Sequence, residues 1–169
     1  QRQMCIRDSC ISEAWQVRTA EETVFVKLST SLLPGMLAAE AEGLHELAKS
    51  EAIRVPEVIR LTEDFLVLEF IPTAINPPTD FWPRLGQQLA NLHAYSQKIP
   101  GFHQDNFIGR SPQKNHCKSN WKEFFWQSRL LPQWEMAVPR GIPKTTKLLW
   151  QKLEILWPAP LEGSSTQAS

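Results

Sequence analysis

Cysteine is scarce in this chain of 169 residues: three occur, Cys5, Cys10 and Cys117, odd in number and widely spread. That pattern argues against a disulfide framework and has no metal-ligand spacing, so reduced thiols in the cytoplasm are the expectation. An excess of either charge is also missing, because 18 Lys and Arg stand against 18 Asp and Glu. Without a basic run there is no electrostatic draw toward nucleic acid or an anionic membrane, which leaves small molecules or proteins as partners. No apolar run approaches the roughly 18 residues of a membrane span. The opening residues lack the charged-then-apolar order of a signal peptide. No Walker loop occurs, which disfavours P-loop chemistry. A soluble protein is expected.

What is present is an apolar fraction of 42%, enough for one ordinary core and too small for two comfortable domains. Residues 1–9 have no useful periodicity and read as a non-native scar, set aside from the fold. Residues 158–169 end in a small, polar run from Glu162 to Ser169 with nothing to bury, and disorder is expected there. A fragment of a longer protein is therefore expected.

The informative stretch is 23–69. Val24, Val26 and Leu28 alternate with Phe25 and Lys27, so a strand sends Lys27 to the face opposite the valines. Pro34 and Gly35 mark a loop, and 36–48 is rich in Ala, Leu and Glu, a strong helix-forming composition. Leu37, Glu40, Leu44 and Leu47 share one face of that helix. An acid on a docking face calls for a cation, and Lys27 is the candidate. The alternative is that Glu40 points outward beside Glu42 while Lys27 extends to solvent, which only geometry decides. Two further strand-like runs, 55–61 and 65–71, flank the polar Thr62-Glu63-Asp64 and read as a hairpin. Strand, helix and acid-ending strand in this order suggest an ATP-binding lobe.

Residues 9–18 read as a short edge strand with its turn. After Pro72, the proline-rich 73–79 segment continues neither strand nor helix and is the expected hinge between a lobe at 10–72 and a helical part at 80–157. Within the latter, 80–96 turns to helical period, with Phe81, Leu85, Gln88, Leu89 and Leu92 near one stripe. Residues 99–120 read as an irregular loop. Residues 121–136 read as an aromatic-rich helix kinked at Pro132, and 144–156 as a last helix with Leu148, Leu149, Leu153 and Leu156 on its apolar face. The aromatics of 121–134 are expected as core rather than a sugar platform.

Phe25-Val-Lys27, the helix with Glu40, Phe65-Leu-Val-Leu-Glu69, Leu85-Gly-Gln-Gln-Leu-Ala-Asn-Leu-His93, Asp105-Asn-Phe-Ile-Gly109 and Trp121-Lys-Glu-Phe-Phe125 together resemble the fructosamine (ketosamine) kinase family. That family is related to the aminoglycoside phosphotransferases and more remotely to protein kinases. The resemblance runs from about residue 10 to residue 157. It implies an α+β, protein-kinase-like fold: an antiparallel sheet lobe with one helix, then the first helices of an incomplete helical lobe. It also implies ATP-dependent phosphorylation of a sugar hydroxyl on a ketosamine, with ATP and Mg2+ as cofactors and a small molecule or glycated protein as substrate.

By the same resemblance, Lys27 corresponds to the phosphate-binding lysine and Glu40 to the helix glutamate that holds it. Glu69, Phe70 and Ile71 correspond to the segment whose main chain pairs with adenine. Ser9 to Ser12 fall where the family has its phosphate-covering turn, but without its glycines. Asp105 and Asn106 are substrate-cleft candidates on the resemblance and turn formers on their own chemistry; Arg129 and Gln133 are further cleft candidates. His103-Gln-Asp105-Asn106 is not the catalytic loop of protein kinases, because Arg110 stands where that loop has its asparagine. The family's catalytic aspartate and metal ligands lie in a later His-Gly-Asp-Leu-Trp…Asn motif and a downstream Asp-Pro. Neither occurs up to Ser169, so both are expected beyond Ser169 in a longer protein. No catalytic or metal-ligating residue is assigned, and the chain by itself is expected to be inactive. Two other readings compete: another phosphotransferase of the aminoglycoside or choline kinase type, and a non-catalytic, kinase-like binding fragment.

Overall fold

The computed structural model describes residues 2–3, 13–30, 32–74 and 76–157. Residues 9–12, matched to the phosphate-covering turn, lie outside them. So does the segment from Pro158 to Ser169, expected as a disordered tail. The described residues form two compact units, one of those up to residue 95 together with 105–114, and one of 96–104 together with 115–157.

The first unit is built on a five-stranded antiparallel sheet in the order β1-β2-β3-β5-β4. Its strands are β1 (Arg2–Gln3), β2 (Glu13–Arg18), β3 (Thr23–Leu28), β4 (Val58–Leu61) and β5 (Phe65–Glu69). The terminal stretch set aside in the sequence thus contributes backbone pairing, with Arg2 opposite Val17 and Gln3 opposite Gln16. The Thr62–Asp64 turn closes the expected hairpin: Thr62 Oγ1 accepts from the Phe65 amide at 3.0 Å and donates to the Phe65 carbonyl at 3.1 Å.

Helix α1 (Met36–Ala48) packs on β4 and β5. Gly35 precedes it at φ 82°, a left-handed turn that a side chain disfavours. Leu37 and Ala41 bury against Leu66 and Leu68, with Phe25, Leu32, Leu44 and Val58 around them. Leu66 is fully buried. Only part of the leucine face docks, because Leu47, three turns from Leu37, is exposed.

In the 73–79 segment, expected as the hinge, the described residues 73–74 and 76–79 are irregular and lie inside the first unit. It leads to α2 (Phe81–Ala94), none of whose residues is fully buried. The reading of 99–120 as an irregular loop is corrected by a short hairpin, β6 (Asn106–Ile108) and β7 (Ser111–Gln113), which returns to the first unit beside α1. Three-residue strands are too brief to show an alternating pattern, and Pro112 argues against a strand except in a small ribbon of this kind.

The second unit holds α3 (Trp121–Phe125), α4 (Leu131–Ala137) and α5 (Lys144–Leu156). Asn120 caps α3 by accepting from the Glu123 amide at 2.9 Å. The helix expected over 121–136 is not simply kinked at Pro132. A π-helical turn, Trp126–Leu130, joins α3 to α4, with the Leu131 amide bonded five residues back to the Trp126 carbonyl. Proline supplies no amide to the carbonyl four residues before it, Ser128, and Arg129 Nη1 donates to that oxygen at 2.8 Å.

Helix α5 matches its expected span, but of its expected leucine stripe only Leu153 is half-buried, and aromatics share its less exposed side. Trp150 stacks on Trp134 at 4.4 Å and on Trp126 at 5.2 Å, while Trp157 stacks on Phe125 at 5.9 Å. Indole and phenyl faces bury more area per residue than leucine, so positions 150 and 157 win the interior. Leu148, Leu149 and Leu156 of the expected stripe are exposed.

Gly101 sits at φ +136°, and a Cβ there would lie 2.6 Å from Cys117 Cα and 3.0 Å from the Asn115 carbonyl oxygen. Neither neighbour is a flexible side chain. Gly101→Ala is expected to destabilise the protein by about 3 kcal/mol. Gly35→Ala, with nothing within 4 Å of its new methyl, should cost only about 1–2 kcal/mol for its left-handed backbone. Denaturant titration of the two variants checks the order.

Candidate nucleotide-binding site

Lys27 lies near the end of β3, with Ala14 of β2 on one side and Leu66 of β5 on the other. The pleat sends Phe25 and Lys27 to the face that α1 covers, since Phe25 joins the core beneath that helix. Leu37 and Ala41 anchor α1 from buried positions flanking Glu40, three residues after one and next to the other. The result is a two-oxygen ion pair: Lys27 Nζ donates to Glu40 Oε1 at 2.7 Å and to Oε2 at 2.6 Å. Both side chains are withdrawn from water, 18% exposed for Lys27 and 35% for Glu40. Of the two arrangements open to the sequence, the paired one is present.

At the far end of β5, Glu69 is held by both its main chain and its side chain. Its amide donates to the Glu57 carbonyl at 2.9 Å. Its Oε2 accepts from the Glu57 amide at 3.3 Å, and its Oε1 accepts from Arg54 Nη2. The Arg54 hydrogen bond and then the Glu57 amide hold this carboxyl below the usual glutamate range. Phe70 and Ile71 follow as non-strand backbone, the first half-buried and the second exposed. The Glu69 side chain as well as its main chain is thus tied to the 54–57 connection.

Asp105 and Asn106 sit at the β6–β7 hairpin in the first unit. Asp105 Oδ2 accepts from Lys114 Nζ at 2.6 Å, and Asn106 Oδ1 accepts from Gln113 Nε2 at 2.8 Å. Both cleft candidates thus brace the ribbon. Arg129 and Gln133 belong to the second unit. Arg129 lies over the Phe124 ring at 4.6 Å and donates from Nη2 to Asn115 Oδ1 at 2.7 Å; burial presses its guanidinium below the usual value. Gln133 is exposed on α4. The catalytic groups expected beyond Ser169 fall outside this sequence, and Ser169 itself lies outside the described residues.

Two residues central to these arrangements were not anticipated. Arg54 is one, an exposed arginine between Ile53 and Val55 whose partner is fifteen positions away. Asn115 is the other, buried with Nδ2 donating to the Gln104 carbonyl at 3.1 Å and its own carbonyl accepting from the Phe102 amide at 2.8 Å. Nothing local marks an asparagine in a polar run as buried.

The depressed Glu69 carboxyl makes a signed prediction. A carboxyl whose folded pKa lies below its unfolded one stabilises the fold above the unfolded pKa, and this is lost as pH falls through the folded value. NMR titration of Glu69 should show a midpoint below the ordinary glutamate range. In Arg54→Ala the midpoint should rise toward that range, and any stability difference between the two proteins at neutral pH should vanish in acid.

The sequence model described as fructosamine kinase matches residues 1–155. The protein named "Probable ketoamine kinase YniA" in Escherichia coli strain K12 is 36% identical over 140 residues, which covers 78% of this chain and 48% of that protein. A "Probable ketoamine kinase" of Synechocystis is 32% identical over 163 residues, covering 88% of this chain and 55% of that one. The chain thus spans about half the length of the curated relatives it matches. The crystal structure of a candidate fructosamine-3-kinase from Thermobifida fusca superposes with a TM-score of 0.77 at 29% identity, over 95% of this chain and 57% of that chain. With a family match over nearly its whole length and an antiparallel sheet lobe shared with that structure, the chain belongs to the fructosamine kinase family and has its α+β, protein-kinase-like fold.

Proposed function

We propose that this chain is the nucleotide-holding part of an ATP-dependent kinase that phosphorylates a sugar hydroxyl of ketosamine adducts, a step in protein deglycation. The observation that carries the proposal is the Lys27–Glu40 pair. An ammonium has three donors, and two are directed at Glu40, which leaves one to aim at an anion. A carboxylate gripping the lysine from a packed helix fixes where the ammonium stands, and a fixed cation is what phosphoryl transfer requires of a protein. The end of β5 complements it, with the Glu69 carbonyl and the main chain of Phe70 and Ile71 as candidates to pair with an adenine edge.

ATP brings the transferable phosphoryl group, and Mg2+ accompanies it as charge neutraliser. No residue of this chain is assigned to the metal or to proton removal from the acceptor, because the sequence contains neither a His-Gly-Asp nor an Asp-Pro segment. The role assigned to these 169 residues is therefore binding and orientation. The proposal includes a small-molecule or glycated-protein substrate and a cytoplasmic setting, the latter resting on the sparse, unpatterned cysteines. Among the described residues no helix is long and apolar enough to cross a membrane.

Calorimetric titration tests the reading. The chain should bind ATP without transferring phosphate to a ketosamine. Lys27→Ala should lower ATP affinity by about 10- to 100-fold, the worth of one hydrogen bond to a charged group, and Glu40→Gln should lower it in the same direction. A wild-type chain with no measurable ATP affinity would sink the proposal.

A further inference from the structure

The hold on Glu69 is denser than a strand end requires. β5 reaches Glu69 with Leu68 buried beneath α1 and paired with Val58. Beyond it no ladder pairing guides Phe70 or Ile71. At that last paired residue, three hydrogen bonds tie Glu69 to the 54–57 connection: the Glu69 amide donates to the Glu57 carbonyl, the Glu57 amide donates to the Glu69 side chain, and the Arg54 guanidinium donates to the same carboxylate. Pro56 stiffens this connection by fixing its own backbone angle and restricting Val55. Glu51, at φ 52°, turns the chain out of α1 toward it.

We propose that Arg54 is a positioning residue for nucleotide binding: by clamping the Glu69 carboxylate to the 54–57 connection, it sets the direction in which the Phe70–Ile71 main chain leaves the sheet to meet adenine. The inference rests on the nucleotide-holding role proposed above and adds a residue that touches no part of the ligand. The physical argument is one of scale. Arg54 is 62% exposed and Glu69 36%, so the ion pair contributes little to global stability. Glu69 is nevertheless the last residue whose orientation the sheet controls, and its amide and carbonyl belong to the same unit as its carboxylate. A carboxylate freed from Arg54 lets the Glu69 peptide pivot about the remaining Glu57 bonds, and the segment after it swings with no ladder to restrain it.

The role is specific to the base end of the nucleotide. Lys27 addresses the phosphates from the other end of the β3–β5 pair, opposite Leu66, while Glu69 stands opposite Val24. That separation supplies the test. Wild type, Arg54→Ala, Arg54→Lys and Lys27→Ala are titrated with ATP and with inorganic tripolyphosphate, the latter by competition against ATP. Arg54→Ala should bind ATP about three- to tenfold more weakly, the range of one exposed charge-assisted contact, and should bind tripolyphosphate as wild type does. Its denaturation midpoint should stay close to wild type, and its Phe70 and Ile71 amides should exchange hydrogen faster. Arg54→Lys should recover part of the loss, and Lys27→Ala should weaken both ligands.

Equal weakening of ATP and tripolyphosphate in Arg54→Ala, or no weakening of either, would overturn the positioning role while leaving the nucleotide reading intact. A wild-type chain that binds neither ligand would remove the nucleotide reading and this inference together.

Discussion

A lysine ammonium placed between a sheet and a helix must be neutralised there, and much of the first unit can be understood from that constraint. Removing a charge from water costs several kcal/mol unless a partner of opposite sign stands in good geometry. Glu40 provides it with both oxygens, but only because Leu37 and Ala41 seat α1 on Leu66 and Leu68 in one rotational setting. The dependence runs in the other direction as well. Slipping β3 by one residue against β5 would carry Lys27 to the opposite face and bring Val26 or Leu28 under the helix. Sheet register, helix rotation and ion pair are therefore one arrangement.

The two ends of β5 share this logic at different depths. Beside Leu66 the lysine is screened from water by packing, so its position follows the core. At Glu69 the packing has ended, and orientation passes to hydrogen bonds from Arg54 and Glu57. Buried contacts supply stability and exposed ones supply direction, which is why an ion pair of small energetic weight can still matter for where a backbone points.

In the second unit a proline sets the problem. Pro132 leaves the Ser128 carbonyl without its usual donor, and Arg129 takes that place with one nitrogen while reaching Asn115 with another. Asn115 in turn ties down Gln104 and Phe102, so a helix irregularity and a loop conformation are solved by the same network. Gly101 permits the close approach, since its missing Cβ leaves room for the backbone at Cys117.

Local periodicity made several elements legible in the sequence alone: the alternation around Lys27, the helix-forming run of α1, the 62–64 turn and the span of α5. It also brought Lys27 and Glu40 together as candidates, because an acid on an apolar helix face and a lysine on an adjacent strand face are each visible from spacing. The tertiary structure decided which contacts were made over distance. Arg54 with Glu69 and Asn115 with Arg129 join residues fourteen or more positions apart, and nothing in the local pattern around either residue names its partner. The β6–β7 ribbon was too short to show a period, and the inward face of α5 depended on which side chains could stack on Trp126 and Trp134. Periodicity reports which face of an element is apolar, whereas the partner that meets that face, and the polar atoms satisfied there, exist only once the chain has folded back on itself.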